Sequence, residues 1–471
     1  MKSTLTPPAA FAKQSSSICR PRTRVFLRMN LLTVAITAAT TSQAIDFGPD
    51  GMFSFNGFGQ ATVGQHDGRC IDCQWSGPFA TKHMSWGDPI LPNQPIKSVT
   101  TVNYQVQPFL GVKFDLGKGY KLSGLLSQRW RDGIVDGGPP LPSFDDRGGS
   151  KVDVPGFWYD KNITVSHEDH GRLTIGHMLT RSWREADYPF GSNIGMSEPW
   201  ASSGAGYGML TSALRYQSRL IDFSGGDLFL EGTYDFGNTN FSKNKPRFLE
   251  FHAKYYRGPL ELDVILQDTK NGAQGAWGHS PFTGQTQHPA DDALLTETSQ
   301  GIAMLMGRYV VNNQLELSAG LRRNWWSGAD QVQVHVKNPA VLGDFDRYNS
   351  MFNVDTNGTL RGHPASSYDV AVGARYRMGK WMPSIGFIHL GTAKTDNPSE
   401  RGQGNSALLG VLGLQYDYGN GLKVDVQGGA IHYARLGLSP LSMPGNDSFT
   451  GVDSRISQDG RWFTVQMTYA F

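Results

Sequence analysis

The chain ends in Arg461-Trp462-Phe463-Thr464-Val465-Gln466-Met467-Thr468-Tyr469-Ala470-Phe471. Read with period two, Phe463, Val465, Met467, Tyr469 and Phe471 share one face, and Thr464, Gln466 and Thr468 share the other. Successive side chains of a strand point to opposite sides of its sheet, so this segment reads as a strand with one apolar and one wet face. The pattern recurs upstream. Leu408, Leu412, Leu414, Tyr416 and Tyr418 alternate with Gln415 and Asp417; Leu315, Leu317, Ala319 and Leu321 oppose Glu316, Ser318, Arg322 and Asn324. In RFLEFHAKYY, Leu249, Phe251, Ala253 and Tyr255 oppose Glu250, His252 and Lys254. One such run would also suit a soluble sandwich, so the decision rests on their number and spacing.

Sixteen strand-length runs are predicted, near 53–64, 99–114, 120–131, 157–168, 172–178, 210–219, 227–236, 247–257, 260–269, 300–311, 314–326, 367–378, 383–393, 407–418, 422–434 and 461–471. Seven connections are tight: LGKG, EDHG, FSGG, YRGP, VNN, MGKW and YGNG, mostly Gly/Asn sequences suited to positive φ. The eight that alternate with them are mostly long: 65–98, 132–156, 179–209, 237–246, 270–299, 327–366, 394–406 and 435–460. Long loops gathered at one end of an even strand count predict a transmembrane antiparallel β-barrel, with short periplasmic turns and long extracellular loops. Composition agrees. The 471-residue chain holds 57 glycines, 11% aromatic and 18% charged residues, and after residue 44 no run of eighteen apolar residues. Its mean hydropathy of −0.37 suits strands that average an apolar outside with a polar inside. Lipid offers no hydrogen-bond partner, so such a sheet must close. A ring of sixteen strands is too wide for side chains to fill, which leaves a polar diffusion path. Tyr255, Tyr376, Tyr416, Tyr418, Tyr469 and Phe471 near strand ends suit interfacial girdles. Lipid and lipopolysaccharide are the expected surroundings.

Residues 1–44 read as an export signal. Arg20, Arg22, Arg24 and Arg28 precede the apolar LLTVAITAATT, which ends at Ser42-Gln43-Ala44, and Met29 offers an alternative start. Cleavage after Ala44 leaves 45–471 as one barrel domain and turns the formal charge from +2 to about −4, with no basic excess to suit nucleic acid. Cys70 and Cys73 stand as C-x-x-C. They lack the further ligands of a zinc site and the βαβ context of a redox motif, so in an oxidising compartment they are expected to form a loop disulfide.

FSFNGFGQATVG at the first strand, GRLTIGHMLTRSW before the third long loop, LRYQSRLIDFSGGDLFLEGTYDFG after it, and the terminal TYAF resemble the sixteen-stranded general porins of Gram-negative bacteria, β-proteobacterial type. The resemblance implies a water-filled channel for small hydrophilic solutes and ions, a homotrimer, and recognition of Tyr469 and Phe471 by the barrel-assembly machinery. It also implies that the third loop, 179–209, folds into the barrel and carries acids opposite a basic wall. On that loop stand Arg181, Arg184, Glu185, Asp187 and Glu198. Alternation places Arg129, Arg131, Arg215, Arg322, Arg375 and Arg377 in the lumen. A transverse field there would sort solutes by charge and dipole.

No nucleophile elbow, P-loop or H-E-x-x-H pattern occurs, and His167, His170, His252 and His389 stand apart from any catalytic set, so neither enzyme, cofactor nor metal is expected. A plugged transporter would need a hundred residues before the barrel. The alternative is a channel selective for sugar, phosphate or carboxylate, with Trp130, Trp158, Trp325 and Trp326 as a slide or the arginines as an anion ladder. The disulfide reading has a direct check: alkylation of the exported protein without reductant should leave Cys70 and Cys73 unmodified, and labelling of both would overturn it.

Overall fold

In the computed structural model the described residues are 45–67, 98–131, 134–135, 158–185, 209–236, 247–270, 299–327, 365–392, 394–395, 406–434 and 459–471. Among them are sixteen long strands: β1 (Phe53–Asp67), β2 (Ser98–Gly117), β3 (Tyr120–Ser127), β4 (Asp160–His167), β5 (Gly171–Leu179), β6 (Met209–Gln217), β7 (Gly226–Asp235) and β8 (Arg247–Arg257). The second half comprises β9 (Leu260–Lys270), β10 (Ser299–Val310), β11 (Leu315–Ser327), β12 (Ala365–Tyr376), β13 (Trp381–Leu390), β14 (Ala407–Asp417), β15 (Leu422–Tyr433) and β16 (Asp459–Ala470). Each pairs antiparallel with its neighbours in sequence, and β16 returns to β1 from Phe58↔Ala470 to His66↔Trp462. That last pairing closes the sheet into a barrel.

The seven tight turns all fall at one end, as their composition predicts. Ser224 and Gly225, at φ 50° and 76°, form a two-residue turn between Phe223 and Gly226. Both central residues are left-handed there, the geometry that matches the twist of a hairpin. The two faces of the terminal strand divide as read: Phe463 and Met467 are half-exposed on the outside, while Thr464 and Gln466 are buried inside. On the outer surface Leu412, Val102 and Ile163 are 63%, 61% and 60% exposed, and similar residues continue round the barrel. In water this would be one very large apolar patch; against acyl chains it is the expected contact surface. No helix among the described residues is long and apolar enough to cross a membrane; the strands cross it. Aromatic rings collect toward the tight-turn end, where Trp381 meets Tyr416 at 4.6 Å and Tyr416 meets Tyr418 at 4.7 Å.

Two local features depart from the sequence reading. The third strand stops at Ser127 and resumes as the short Trp130–Arg131 pairing with Gln105 and Val106. At the break the Gln107 amide donates to Ser127 Oγ at 3.0 Å and accepts from Arg129 Nε at 2.8 Å, so side chains replace the ladder. In β5 the register shifts between Gly176 and Met178, with Gly176 at φ 127°. This bulge precedes the point where the chain leaves the wall, with Met178 packed on Leu210, Ala213 and Phe248.

Closure depends on the last residue. Phe471 exchanges both backbone hydrogen bonds with Gly57, at 2.8 and 2.9 Å, and its ring lies 5.7 Å from that of Phe55. Replacing Phe471 by Asp should lower the yield of folded, heat-modifiable barrel several-fold on expression in cells. Undiminished yield would show that this end does not direct closure.

Candidate functional site in the barrel lumen

The inward positions of β6 to β12 carry a continuous series of charged side chains, and the start of the third loop lies against it. After Leu179 a single helical turn, Arg181–Arg184, brings the loop onto the inner faces of β7 and β8. The Arg181 backbone N–H donates to both carboxylate oxygens of Glu250, at 2.8 and 3.0 Å. Its guanidinium grips Glu231 by Nε at 2.6 Å and by Nη2, in the two-pronged geometry that suits arginine and carboxylate. Arg215 lies beside them, 3.0 Å from Glu231, and donates to the Leu179 carbonyl at 2.7 Å. Gln267 bridges Glu250 at 2.8 Å and Ser182 Oγ at 3.1 Å. The loop start is therefore bonded to the wall by main chain and side chain together.

The series continues around the wall. Lys254 lies 3.4 Å from Glu185 of the loop, 2.8 Å from Glu261 and 3.3 Å from Asp263. His252 Nε2 is 2.6 Å from Asp263 Oδ1. Glu261 pairs with Arg308, Arg308 reaches Glu316 at 3.7 Å, and Arg375 Nε donates to Glu316 at 2.9 Å. Inward side chains on adjacent strands are close neighbours, so charge must alternate in sign for the wall to be stable. Burial increases away from the tight-turn end: the Arg308 side chain is 34% exposed and that of Arg375 18%, whereas His252 and Asp263 are wholly buried. Burial alone would pull Arg181 below its ordinary pKa, but the charge and hydrogen bond of Glu231 raise it above. Burial likewise pushes Glu185 up, and the charges of Lys254, His252 and Arg181 outweigh it and hold the carboxyl low. Both loop groups are thus held ionised.

The rest of the lumen differs. From β14 through β16 to β2 the inward side chains nearer the tight turns are mostly amides and hydroxyls, while Ala407, Leu409, Val411 and Ile431 beyond them are inward, apolar and buried. Gln415 donates to Asp425 at 2.8 Å, Thr62 to Gln466 at 3.2 Å, Gln60 to Thr468 at 3.2 Å, and Gln105 bonds Gln60. The barrel interior therefore has a charged arc and a mostly neutral arc, polar toward the tight turns.

Of the residues proposed from sequence, Arg181, Glu185, Arg215 and Arg375 meet in the charged series. Arg322 is inward and completely buried, with Nε and Nη2 at 3.1 and 2.7 Å from Asp369 Oδ2. Arg129 stands apart near the neutral arc, its guanidinium 4.5 Å from the centre of the Tyr159 ring. Arg131 pairs with Gln105 through its backbone, and Arg377 follows the end of β12 and is exposed at the tight-turn rim. The Arg184 side chain, Asp187, Glu198, Cys70 and Cys73 lie outside the described residues. Trp325 shares the outward face with Leu321 and covers Gly301, so it is not part of a sugar slide; an added Cβ at Gly301 would come within 2.2 Å of its ring. Sequence reading set His252 and Lys254 on the polar face of their strand without assigning them to the site, and passed over Glu261 and Asp263, which fall on the inward parity, and Trp462, which is inward and buried. Alternation could have placed them; their meeting required the register.

A closed antiparallel barrel of sixteen strands with an apolar exterior and a polar, charged interior defines the class: this chain has the porin-type fold and is a protein of the Gram-negative outer membrane. No family model and no curated protein matches the sequence. Among solved structures, in-vitro folded OmpT of Vibrio cholerae, an outer membrane protein, matches with a TM-score of 0.52 at 11% identity, over 91% of this chain and 100% of that one. A loop L8 deletion mutant of the same protein gives 0.50 at 10% identity, over 89% and 100%. DcaP, an outer membrane channel of Acinetobacter baumannii, gives 0.48 at 12% identity, over 90% and 99%. The likeness is one of fold.

The clamp at Arg181 can be broken. Arg181→Met leaves Glu231 and Glu250 buried with fewer partners and should cost about 3–5 kcal/mol, read as a lower urea midpoint in lipid vesicles. Ser182→Cys should label slowly in the otherwise native barrel and much faster beside Arg181→Met. Equal labelling rates would mean that Arg181 does not hold the loop.

Proposed function

We propose that the chain is a porin, a passive water-filled channel for small hydrophilic solutes and ions across the outer membrane, and not an enzyme. The observation that carries the reading is the inward charged series, with Arg181 and Glu185 of the third loop bonded to it inside a sixteen-stranded barrel. A lumen built only to hold a plug would gain nothing from so many ionised groups, whose burial is costly. Ionised side chains beside a water path act instead on passing solutes.

Segment 179–209 is read as the constriction, with its charges and the wall arginines acting in a confined space where salt screens less than at an open surface. Arg129 lies near the neutral arc, alternation would set Arg131 beside it, and Arg184, Asp187 and Glu198 would extend the loop's charge. A homotrimer, of the general porin family in its β-proteobacterial type, is the assembly that the sequence motifs favour, with residues 1–44 removed on export. A second reading, a channel selective for neutral hydroxylated solutes such as sugars, is favoured by the amide-lined arc. Sugar hydroxyls exchange readily with the hydrogen bonds of Gln60, Gln105, Gln415 and Gln466.

Planar-bilayer recording of the purified protein tests these readings. A steady open conductance is expected, and deletion of residues 184–204 should enlarge it and raise the size limit for neutral sugars. Neutralising Arg129 and Arg131 should shift the reversal potential in a salt gradient toward cations; Glu185→Gln with Asp187→Asn should shift it toward anions. Both shifts should shrink at high salt. Block by one sugar would favour the selective channel, and absence of conductance would overturn both.

A further inference from the structure

We infer that the neutral ring of His167 fastens two neighbouring tight turns to one another, and that protonation of this ring releases them. His167 ends β4 and stands opposite Tyr120, the first residue of β3. Its Nδ1 accepts the backbone N–H of Asp169, in its own turn, at 3.0 Å. Its Nε2 lies 3.2 Å from the carbonyl oxygen of Lys118, in the turn between β2 and β3. A carbonyl can only accept and a backbone N–H can only donate. The two bonds together therefore require the tautomer whose single proton is on Nε2.

The ring is closely seated. Lys118 and Gly119 are left-handed, at φ 53° and 84°, and a Cβ on Gly119 would stand 2.9 Å from His167 Nε2. The ring centre lies 4.5 Å from that of Tyr120 and 4.5 Å from that of His170, on which it stacks at 25°. Tyr216 Oη donates to the His170 carbonyl at 2.9 Å, so β6 holds the same turn from its other side. β3 and β4, with 8 residues each, are the shortest of the sixteen strands. They have few ladder bonds, so contacts at the turns carry a larger share of what holds this sector closed. From the His170 turn β5 leads directly to Arg181 and the third loop.

Histidine is the side chain whose charge ordinarily changes between about pH 5 and 8. A second proton, on Nδ1, leaves that atom unable to accept, and the Asp169 N–H then faces another donor. The new charge also lies against the His170 ring, which repels it once His170 is protonated too. The other titratable groups of the two turns and the strands packed on them are Lys118, Tyr120, Glu168, Asp169 and Tyr216. The Glu168 and Asp169 carboxylates favour a charged ring, but Nδ1 can donate to one of them only after leaving the Asp169 N–H. They therefore stabilise the released state. Protons thus act on the sector of the wall from which the third loop departs. The inference does not depend on the porin reading, because both turns belong to the closed barrel whatever passes through it.

Nitrogen-15 NMR of the folded barrel in detergent micelles tests the fastening. At about pH 8 the His167 ring should carry its proton on Nε2. The exchange rate of the Asp169 amide is read against that of Leu315, which donates at another tight turn to Asn312 Oδ1, an acceptor that does not titrate. This ratio should rise several-fold between about pH 8 and about pH 5. His167→Gln keeps a donor and an acceptor without titrating, so its ratio should be independent of pH. His167→Phe keeps a stacked ring without either bond and should exchange fast at both pH values. His170→Gln should keep the pH dependence. A native ring protonated on Nδ1, a constant native ratio, pH dependence surviving in His167→Gln, slow exchange in His167→Phe, or loss of pH dependence in His170→Gln would each overturn the assignment. The two native measurements decide it should a variant fail to fold.

Discussion

In hydrocarbon an unpaired backbone N–H or C=O costs several kcal/mol, roughly, because no water is present to replace its partner. The whole architecture answers that constraint. A sheet crossing the bilayer can have no edge, so β16 must find β1, and the Gly57–Phe471 exchange lies where the two ends of the ring meet. Closure separates two solvents, lipid outside and the lumen within. Each strand then needs apolar residues at the outward parity, whereas the inward parity is free to be polar, as in the terminal run at Thr464 and Gln466, or apolar, as at Ile302, Met304 and Met306.

Inside the barrel a different cost governs. Charged side chains crowd on a concave wall, partly withdrawn from water, and are stable only beside opposite charges. Along β8 to β12 the order Lys254, Glu261, Arg308, Glu316, Arg375 alternates strictly. The loop joins this order with its own charges interleaved, Arg181 on Glu231 and Glu185 on Lys254. The described part of the loop thus does not face a separate basic wall across a gap, as a simple transverse field would require. Its charges belong to the wall on which it lies, and the far side of the lumen is largely uncharged.

The same constraints explain why the fold is shared at 10–11% identity with barrels matched over all of their length. Closure demands apolar residues at the outward parity, tight turns at one end and an even strand count. It demands almost no particular residue, so sequences drift while the ring is kept. What distinguishes one such barrel from another lies in the loops and on the inward parity, where few residues are dictated by lipid.

Much of this was legible in the sequence alone. The strand number, the seven turns, the alternation and the parity of Arg215, Arg322 and Arg375 follow from period two and from Gly/Asn turn chemistry, which act within a few residues. The break after Ser127 and the bulge at Gly176 were not legible, because they depend on Gln107, on Arg129 and on the register with β6. Nor could the sequence join Arg181 to Glu231 and Glu250, fifty and sixty-nine positions away. Local pattern decides which way a side chain faces. Which charges become neighbours is decided by strand register and by the path of a loop, and those exist only once the ring has closed.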